Sequence, residues 1–491
     1  MVVPCIRHLE PLAATSAVNP GAGATVDYSR KWVVLAAVSM GVFLATIDGS
    51  IVAIALPVLV KEFDTSFSVV QWVVLSYLLT WATLSVSIGR VGDMVGKKKL
   101  YVLGFGVFTA ASMAVGLAPS IPWLIGLRAV QAVGAAMVLS LGIGILTEAF
   151  PDSERGQALG IIGAMVSIGA VTGPTLGGLI LQNLSWRWIF FVNLPIGIIG
   201  TIVAIRFIPD SPPPGGQRFD FVGATLFLAS LLSILLALTF SQERGFRDPT
   251  IIAMLAFGVG SLVAFVVVER LVDEPMVDLT MFSNVDFTVG LTTGFLTFMA
   301  VRGLTVTGPF LLTDTLGFEL RQAGLILAAS PIALGIIAPL SGRAADRYGP
   351  RSVTVIGLTV LFSAYLLVQL VDTTTTGVGF ALILAPIGLG MGIFQSPNNS
   401  AIMGSVPPDQ LGVAGGMLGL NRLLGQVVGF GILITYWSSR VSAGSPDGAS
   451  PEAQASAFRD TNLGGAAAVL LALMLAVWAL RRDRTRQRAL S

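Results

Sequence analysis

Apolar stretches of about 20 residues recur along almost the whole chain, and they limit its fold more than any other feature. Each stretch is long enough to cross the ~30 Å of hydrocarbon in a bilayer as a helix. Only 11% of the 491 residues are charged, which is less than half of the roughly 25% typical of soluble domains. We therefore expect a polytopic helical membrane protein without a large soluble domain.

The apolar stretches predict fourteen spans, separated by short polar breaks such as 61–68, 151–156 and 241–248. An even number of spans places both ends of the chain on one side of the membrane. Nineteen of the 29 Lys and Arg residues fall on that side, seven fall on the other side, and three lie within the spans. Because basic residues are retained in the cytoplasm, we predict that both termini are cytoplasmic. The basic run 481–488 is interpreted as a topological anchor rather than a nucleic-acid-binding tail.

A single cysteine, Cys5, and a single histidine, His8, limit the chemistry of the chain. They cannot form an internal disulfide, a His/Cys metal cluster or a His-based catalytic triad. The loop at 91–98 ends like a phosphate-binding loop, but it lacks the required earlier glycine and the final Ser or Thr. We expect no enzymatic activity, no cofactor and no resident metal.

Two segments, 89–98 and 342–351, share a pattern of Gly, Arg, Asp, Gly and a basic residue. Their aspartates lie 253 positions apart, which indicates two parallel halves related by an axis along the membrane normal. Each half has six spans, so spans 7 and 8 form an inserted pair. The repeated residues are Gly89, Arg90, Asp93 and Gly96 in the first segment and Gly342, Arg343, Asp346 and Gly349 in the second.

These segments resemble the signature cytoplasmic loop of the major facilitator superfamily, G-R-x-x-D-x-x-G-x-[KR]. Residues 127–134 resemble the R-x-x-Q-x-x-G element of that family, and 169–178 resemble the G-x-x-x-G-P-x-x-G-G motif of its antiporters. Residues 47–57 and 185–195 look like those of the fourteen-helix drug:proton antiporters. The resemblance covers about 31–480. It implies an all-α membrane protein with the major facilitator fold, in which two six-helix bundles are joined by two inserted helices.

The resulting layout places the protein in a bacterial-type cytoplasmic (inner) membrane, with both termini cytoplasmic. The predicted parts are a disordered cytoplasmic tail at 1–30, an N-terminal six-helix bundle at 31–210, an inserted helix pair at 211–275, a C-terminal six-helix bundle at 276–480, and a basic cytoplasmic tail at 481–491.

One carboxylate, Asp48, lies deep within a predicted span, whereas Glu148 and Asp314 lie near span ends. A charge at bilayer depth costs at least ~2.5–3.5 kcal/mol and must be paired or hydrated. We expect Asp48 to carry the coupling proton and to contact Arg128, because both lie at similar depths below the outer rim. The alternative is a permanent Asp48–Arg128 brace.

The repeated loops and the glycine motif of span 5 are predicted to gate the pathway. In the loops, glycines permit two helix ends to approach closely, and the Asp can meet a helix N-terminus or an Arg. In span 5, glycines four residues apart and a proline suggest a hinge or a seal between the halves. The alternatives are a purely topological role for the basic residues and ordinary small-residue packing. The span 5 residues are Gly169, Gly173, Pro174, Gly177 and Gly178.

A second buried charge, Arg302, falls one residue from the position that the repeat places opposite Asp48. We expect it at the central cavity, where it favours neutral or anionic amphiphiles unless it pairs elsewhere, for instance with Asp314. The alternative is a snorkelling or helix-pairing arginine that faces away from the pathway. The full set of predicted cavity residues is Phe43, Tyr77, Trp81, Gln131, Phe298, Arg302, Phe310, Asn398, Asn399, Asn421 and Gln426.

The sequence thus predicts proton-coupled export of small amphipathic compounds, drugs or metabolites, across the cytoplasmic membrane by alternating access. Two alternatives stay open: a dedicated transporter of an anionic metabolite or lipid, and a non-transporting membrane receptor or scaffold. The expected partners are a small-molecule substrate, protons and membrane lipid, without nucleic acid, and the expected state is a monomer.

Overall fold

The computed structural model describes residues 28–210, 218–245, 247–442 and 450–490. These ranges contain helices and no β-strand, and fourteen helical spans are long and apolar enough to cross a membrane. The predicted all-α fold with fourteen transmembrane helices is confirmed. The spans are α1 Tyr28–Glu62, α2 Phe67–Val95, α3 Lys97–Gly116, α4 Ile121–Ala149, α5 Asp152–Asn183, α6 Trp188–Phe207, α7 Phe221–Ser241, α8 Pro249–Glu269, α9 Val285–Thr315, α10 Arg321–Tyr348, α11 Pro350–Val368, α12 Gly377–Gly404, α13 Pro408–Val441 and α14 Pro451–Asp483.

Several helices extend beyond the apolar stretches that predict them. The last helix begins at Pro451 and continues to Leu490, so it runs through most of the segment predicted as a basic tail. Hydropathy locates the part of a helix that lies in hydrocarbon, whereas backbone hydrogen bonding continues into the polar flanks. The predicted N-terminal tail, apart from residues 28–30, lies outside the described residues.

The helices form two bundles, each with its own apolar core. In the first bundle, α1–α6, the rings of Tyr101, Phe105 and Phe108 on α3 are buried among residues of α1 and α4. In the second bundle, α9–α14, Tyr365 and Phe458 belong to the corresponding core. Aromatic rings at these positions bury large apolar areas and fix the spacing of the helices around them.

The inserted helices α7 and α8 lie between the two bundles in the sequence, and they pack against each other. Phe227 of α7 and Phe265 of α8 are buried with their ring centroids 5.0 Å apart. The pair contacts the rest of the molecule mainly through α7, which touches α2 and α13. This arrangement matches the predicted fold of two six-helix bundles plus an inserted pair.

At the beginning of α1, Lys31 pairs with Glu154 at the start of α5, which also contacts the end of α10. At the end of α14, Asp483 pairs with Arg351 at the start of α11. These helix ends lie on one side of the molecule, which we call the terminal face.

The bundles meet through α2, α4 and α5 of the first and α10, α12 and α13 of the second. Close backbone contacts between them cluster near the terminal face, where a Cβ atom on Gly89 of α2 would lie 2.2 Å from the carbonyl oxygen of Gly412 of α13. The bundles are therefore tightly joined at the terminal face.

Candidate functional site

A cavity of about 610 Å³ lies between the bundles near the middle of the spans. Its walls come from α1, α2, α4 and α5 and from the repeat-related helices α9, α10, α12 and α13. The volume lies in the range of pockets that bind drug-sized ligands. Eight of the eleven predicted cavity residues line it: Tyr77, Trp81, Phe298, Arg302, Asn398, Asn399, Asn421 and Gln426.

The other three predicted cavity residues lie elsewhere. Gln131 is fully buried inside the first bundle. Phe310 is 44% exposed and stacks on Trp437 at 5.1 Å between ring centroids. Phe43 is partly buried and is not among the residues that line the cavity. Span hydropathy is nearly uniform around each helix, so the sequence does not reveal which face of a helix turns toward the cavity.

Asp48 is the centre of a buried polar cluster in the first bundle. Its carboxylate accepts hydrogen bonds from Arg128 at 2.6 Å, from Gln131 at 2.9 Å and from Asn193 at 2.8 Å. Asp48, Gln131 and Asn193 are completely buried, and Arg128 is 1% exposed. The predicted contact between Asp48 and Arg128 is present as an ion pair of 2.6 Å.

Further groups complete this cluster. Arg128 Nε donates to the carbonyl oxygen of Val73, and the Gln131 amide also bonds the hydroxyl of Ser112 at 2.7 Å. The guanidinium lies 4.3 Å from the ring centroid of Tyr77, and this tyrosine also lines the cavity. Asp48 itself does not line the cavity, so Tyr77 is a residue through which the cluster contacts the cavity.

Sequence reasoning missed Asn193 and Ser112 as members of this cluster. Asn193 was within reach, because it belongs to the 185–195 stretch that resembles the drug:proton antiporters. Ser112 has no motif around it and gives no signal. A small hydroxyl in an apolar helix is usually satisfied by a backbone carbonyl of its own helix, and Ser112 also makes that bond, to Phe108.

The two repeated aspartates form matching clamps between the bundles. Asp93, at the end of α2, accepts hydrogen bonds from the backbone N–H groups of Gly412 at 2.9 Å and Val413 at 3.0 Å. These groups lie in the first turn of the helix Leu411–Gly429. A carboxylate at this position satisfies N–H groups that have no partner within their helix, and it interacts favourably with the helix dipole.

The second clamp is the reciprocal of the first. Asp346, at the end of α10, accepts from the backbone N–H groups of Gly156 at 2.7 Å and Gln157 at 2.8 Å, in the first turn of the helix Arg155–Asn183. Each bundle therefore caps one helix of the other at the terminal face. Trp81 lines the cavity twelve residues before Asp93 on α2, so this clamp lies ~18 Å from that part of the cavity wall.

Glycines in the repeated loops serve two separate purposes. Gly89 and Gly342 permit backbone contact, because a Cβ atom on Gly342 would lie 2.0 Å from the carbonyl oxygen of Gly156. Gly96 and Gly349 have φ values of 109° and 84°, in the left-handed region that favours glycine. They end α2 and α10 and turn the chain into the next helix.

The two clamps differ in their charged neighbours. Lys97 Nζ lies 2.8 Å from Asp93 and 2.8 Å from Glu148, so three charges form a network that is largely buried. Pro350 occupies the position that the repeat relates to Lys97. Among the described residues, Asp346 has no ion pair. The first clamp is therefore the more strongly charged of the two.

Arg90 and Arg343 lie beside the clamps. Arg343 is next to the Gln157 side-chain amide, with a distance of 3.1 Å between the two groups. Arg90 is 8% exposed and lines a pocket of about 210 Å³ together with acidic residues that include Asp278. Partial burial raises the pKa of Asp278, but hydrogen bonds from Thr280 and Gln410 outweigh this effect and lower the pKa below its usual value. The pocket thus keeps negative charge near Arg90.

The span 5 glycines contact their own bundle rather than the other one. Cβ atoms at Gly169 and Gly173 would lie 2.9 Å from Thr46 and 1.9 Å from Ser50 of α1, and one at Gly177 would lie 2.8 Å from an α1 side chain. A Cβ at Gly178 would meet nothing within 4 Å. In this conformation the motif joins α5 to α1, so the expected seal between the halves is not what these glycines form. Pro174 lies inside the continuous helix Arg155–Asn183.

Two arginines, Arg302 of α9 and Arg422 of α13, line the cavity. Their guanidinium groups lie 5.7 Å and 5.5 Å from the ring centroids of Phe430 and Phe298, respectively. The hypothesised Arg302–Asp314 pair is not formed, and the Asp314 carboxylate instead accepts a bond from the neighbouring Thr313 at 2.6 Å.

Comparisons with known proteins identify the family. The model of the Major Facilitator Superfamily matches residues 38–430 and 290–491. The riboflavin transporter RibZ of Clostridioides difficile is 33% identical over 417 residues, which cover 84% of this chain and 90% of that protein. The multidrug resistance protein Stp of Mycobacterium tuberculosis is 32% identical over 413 residues, covering 83% of this chain and 76% of Stp.

The multidrug efflux pump LfrA of Mycolicibacterium smegmatis is 30% identical over 444 residues, covering 90% of this chain and 88% of LfrA. Among solved structures, the human organic anion transporter MFSD10 (TETRAN) superposes with a TM-score of 0.66 and covers 91% of this chain and 99% of that one. At 17% identity this likeness shows the fold alone. The chain therefore belongs to the major facilitator superfamily, whose members are membrane transporters and not enzymes, and it is a multi-pass inner-membrane protein.

Proposed function

We propose that this transporter exports small amphipathic compounds from the cytoplasm by alternating access and that protons entering the cell drive the export. The central cavity between two clamped bundles is the observation that carries the proposal. The cavity has the size for one drug-sized molecule, and its walls come from repeat-related helices of both bundles. A tilt of one bundle against the other would expose such a cavity to each side of the membrane in turn.

The clamps support an assignment of the conformation. The excess of basic residues on the terminal side favours a cytoplasmic terminal face. Asp93 and Asp346 join the bundles at that face, with the cavity on the far side of the clamps. We therefore interpret the conformation as closed toward the cytoplasm, and opening it requires both clamps to break.

Proton coupling is proposed to take place at Asp48. Within the described spans it is the carboxylate farthest from a span end, and it is completely buried. Protonation would remove the charge that balances Arg128, and it would weaken a cluster that joins α1 to α4 and α6. Tyr77 contacts both this cluster and the cavity, so movement of its ring would couple the protonation of Asp48 to substrate binding.

The relatives support export of more than one kind of compound. One is named as a multidrug resistance protein, a second as a multidrug efflux pump, and a third as a riboflavin transporter. These names favour the multidrug reading, and they keep open the alternative of one dedicated metabolite. The multidrug reading predicts competition among unrelated amphiphiles, whereas a dedicated transporter would saturate with one of them.

The test is a flux measurement in proteoliposomes that contain purified protein. A panel of fluorescent amphiphiles is offered under an imposed pH gradient, and substrate movement and lumenal pH are recorded together. We expect uphill dye movement accompanied by proton movement, and we expect Asp48→Asn to abolish both while binding persists. Asp314→Asn is the matched control, because Asp314 is exposed at the end of α9.

Two outcomes would contradict the proposal. Unchanged uphill transport by Asp48→Asn would leave Asp48 as a structural brace. The absence of flux for every dye in the wild-type protein, with folded protein in the membrane, would favour the receptor or scaffold alternative.

A further inference from the structure

The charges on the cavity wall point to a class of substrate. Among the described residues that line the cavity, Arg302 and Arg422 are charged and no Asp, Glu or Lys is present. The neighbouring charges Asp48 and Arg128 do not line the cavity, and they neutralise each other inside the first bundle. The cavity therefore has a formal charge of +2, carried entirely by the second bundle.

The two guanidinium groups lack anionic partners. In the part of the chain that the structure describes, neither arginine forms an ion pair. Nε of Arg302 is buried and has no hydrogen-bond partner. By contrast, the guanidinium of Arg128 bonds a carboxylate, an amide and a backbone carbonyl. Both arginines are partly buried, and a cation that loses water without gaining an anionic partner is destabilising.

The two arginines lie on α9 and α13, which pack against each other, and each guanidinium contacts an aromatic ring of the other helix. Arg302 follows Phe298 by four residues on α9, so the two side chains lie on one face of that helix. Arg422 of α13 lies over the Phe298 ring at 5.5 Å. Two planar, five-donor groups on neighbouring helices of one cavity wall can bind a carboxylate, sulfonate or phosphate with several charge-assisted hydrogen bonds.

The rest of the wall has the properties needed for the apolar part of such a ligand. Tyr77 and Trp81 of α2 contribute aromatic surface from the first bundle, whereas the two arginines belong to the second. The side-chain amides of Asn399 and Gln426 add polar groups that can bind neutral substituents. The wall thus combines aromatic surface with two cationic groups.

We propose that the cavity binds amphipathic anions, in which a flat aromatic body carries a carboxylate, sulfonate or phosphate group held by Arg302 and Arg422. This inference rests on the proposed function, since it names the substrate class of the transport cavity. Cations of the same shape bind less well, because both arginines repel them. The anion lies between the two bundles, so its binding energy is available to change how they are arranged.

The test compares two xanthene dyes of similar shape and opposite charge, fluorescein and rhodamine 6G. Binding to purified full-length protein in nanodiscs is measured by fluorescence anisotropy, without any gradient. We expect the wild-type protein to bind fluorescein more tightly than rhodamine 6G. Arg302→Gln or Arg422→Gln should weaken fluorescein binding by roughly tenfold or more and should strengthen rhodamine 6G binding. Arg302→Lys should retain part of the preference, because it keeps the charge.

Arg321→Gln is the matched control, because Arg321 is exposed at the start of α10 and does not line the cavity. Thermal unfolding adds a readout that a purely structural arginine would not give. Arg302→Gln should leave the ligand-free protein equally or more stable, since a partly buried charge without an anionic partner is removed, and it should abolish the stabilisation by fluorescein.

The outcomes separate this inference from the proposed function. An unchanged ranking of the two dyes in both glutamine variants, or tighter binding of rhodamine 6G by the wild type, would overturn the anion site. Proton-driven export would stand in that case. Anion binding that depends on both arginines, with no flux in proteoliposomes, would support the site and contradict the export.

Discussion

Replacing Asp93 by asparagine should open the terminal face, and the structure gives the size of the effect. The carboxylate accepts one backbone N–H on each oxygen and pairs with Lys97 at 2.8 Å. An asparagine amide has one oxygen, so it keeps one backbone bond and places its NH₂ against the other N–H donor. The ion pair with Lys97 is lost, and Glu148 remains as the partner of that lysine.

Losing one charge-assisted hydrogen bond and weakening another should destabilise the closed conformation, relative to the open one, by roughly 2–3 kcal/mol. Since each 1.4 kcal/mol changes an equilibrium constant roughly tenfold, this free energy corresponds to a shift of about 30- to 150-fold from the closed toward the open terminal face. Asp346→Asn likewise loses one backbone hydrogen bond and weakens the other, but it removes no ion pair. Its shift should therefore be smaller, roughly tenfold for 1–2 kcal/mol.

Distances between spin labels measure this shift. Labels at Val95 and Tyr348, placed on a Cys5→Ser background, report on opposite bundles at the terminal face, where the two side chains are 47% and 64% exposed. We expect a longer-distance population in Asp93→Asn, a smaller one in Asp346→Asn, and little of it in the wild type. Identical distance distributions in all three proteins would refute the reasoning that these carboxylates hold the bundles together.

Other predictions use the close glycine contacts. Gly173→Leu places a side chain where Ser50 lies, so it should separate α5 from α1, lower the unfolding temperature by an amount equivalent to about 1–3 kcal/mol, and make proteoliposomes leak protons. Gly178→Leu, in open space within the same motif, should change neither measurement, and equal behaviour of the two variants would argue against the contact. Gly416→Ala puts a methyl group 2.4 Å from the backbone carbonyl of Ser85 across the two bundles, so the spin-label distances should lengthen. Gly419→Ala makes an ordinary contact of 3.5 Å and should leave them unchanged.

The sequence by itself determined the number of helices, the two-bundle plan and the inserted pair. Membrane hydrocarbon has a fixed thickness and leaves no water for backbone groups, so apolar length converts directly into helices. The repeat at 89–98 and 342–351 fixed the internal symmetry because its spacing is readable without coordinates. The depths of the two residues in their spans predicted the contact between Asp48 and Arg128, and the repeat predicted the position of Arg302 at the cavity.

The tertiary structure decided which way each side chain faces and what it meets. Gln131 lies in the Asp48 cluster and not at the cavity, and Asn193 belongs to the same cluster. The span 5 glycines pack against α1. The tertiary structure also showed that Arg422 joins Arg302 on the cavity wall while Asp48 stays away from it. Helices that are apolar on all sides carry no periodic signal of their buried face, so rotation and partners are set only by packing between helices distant in sequence.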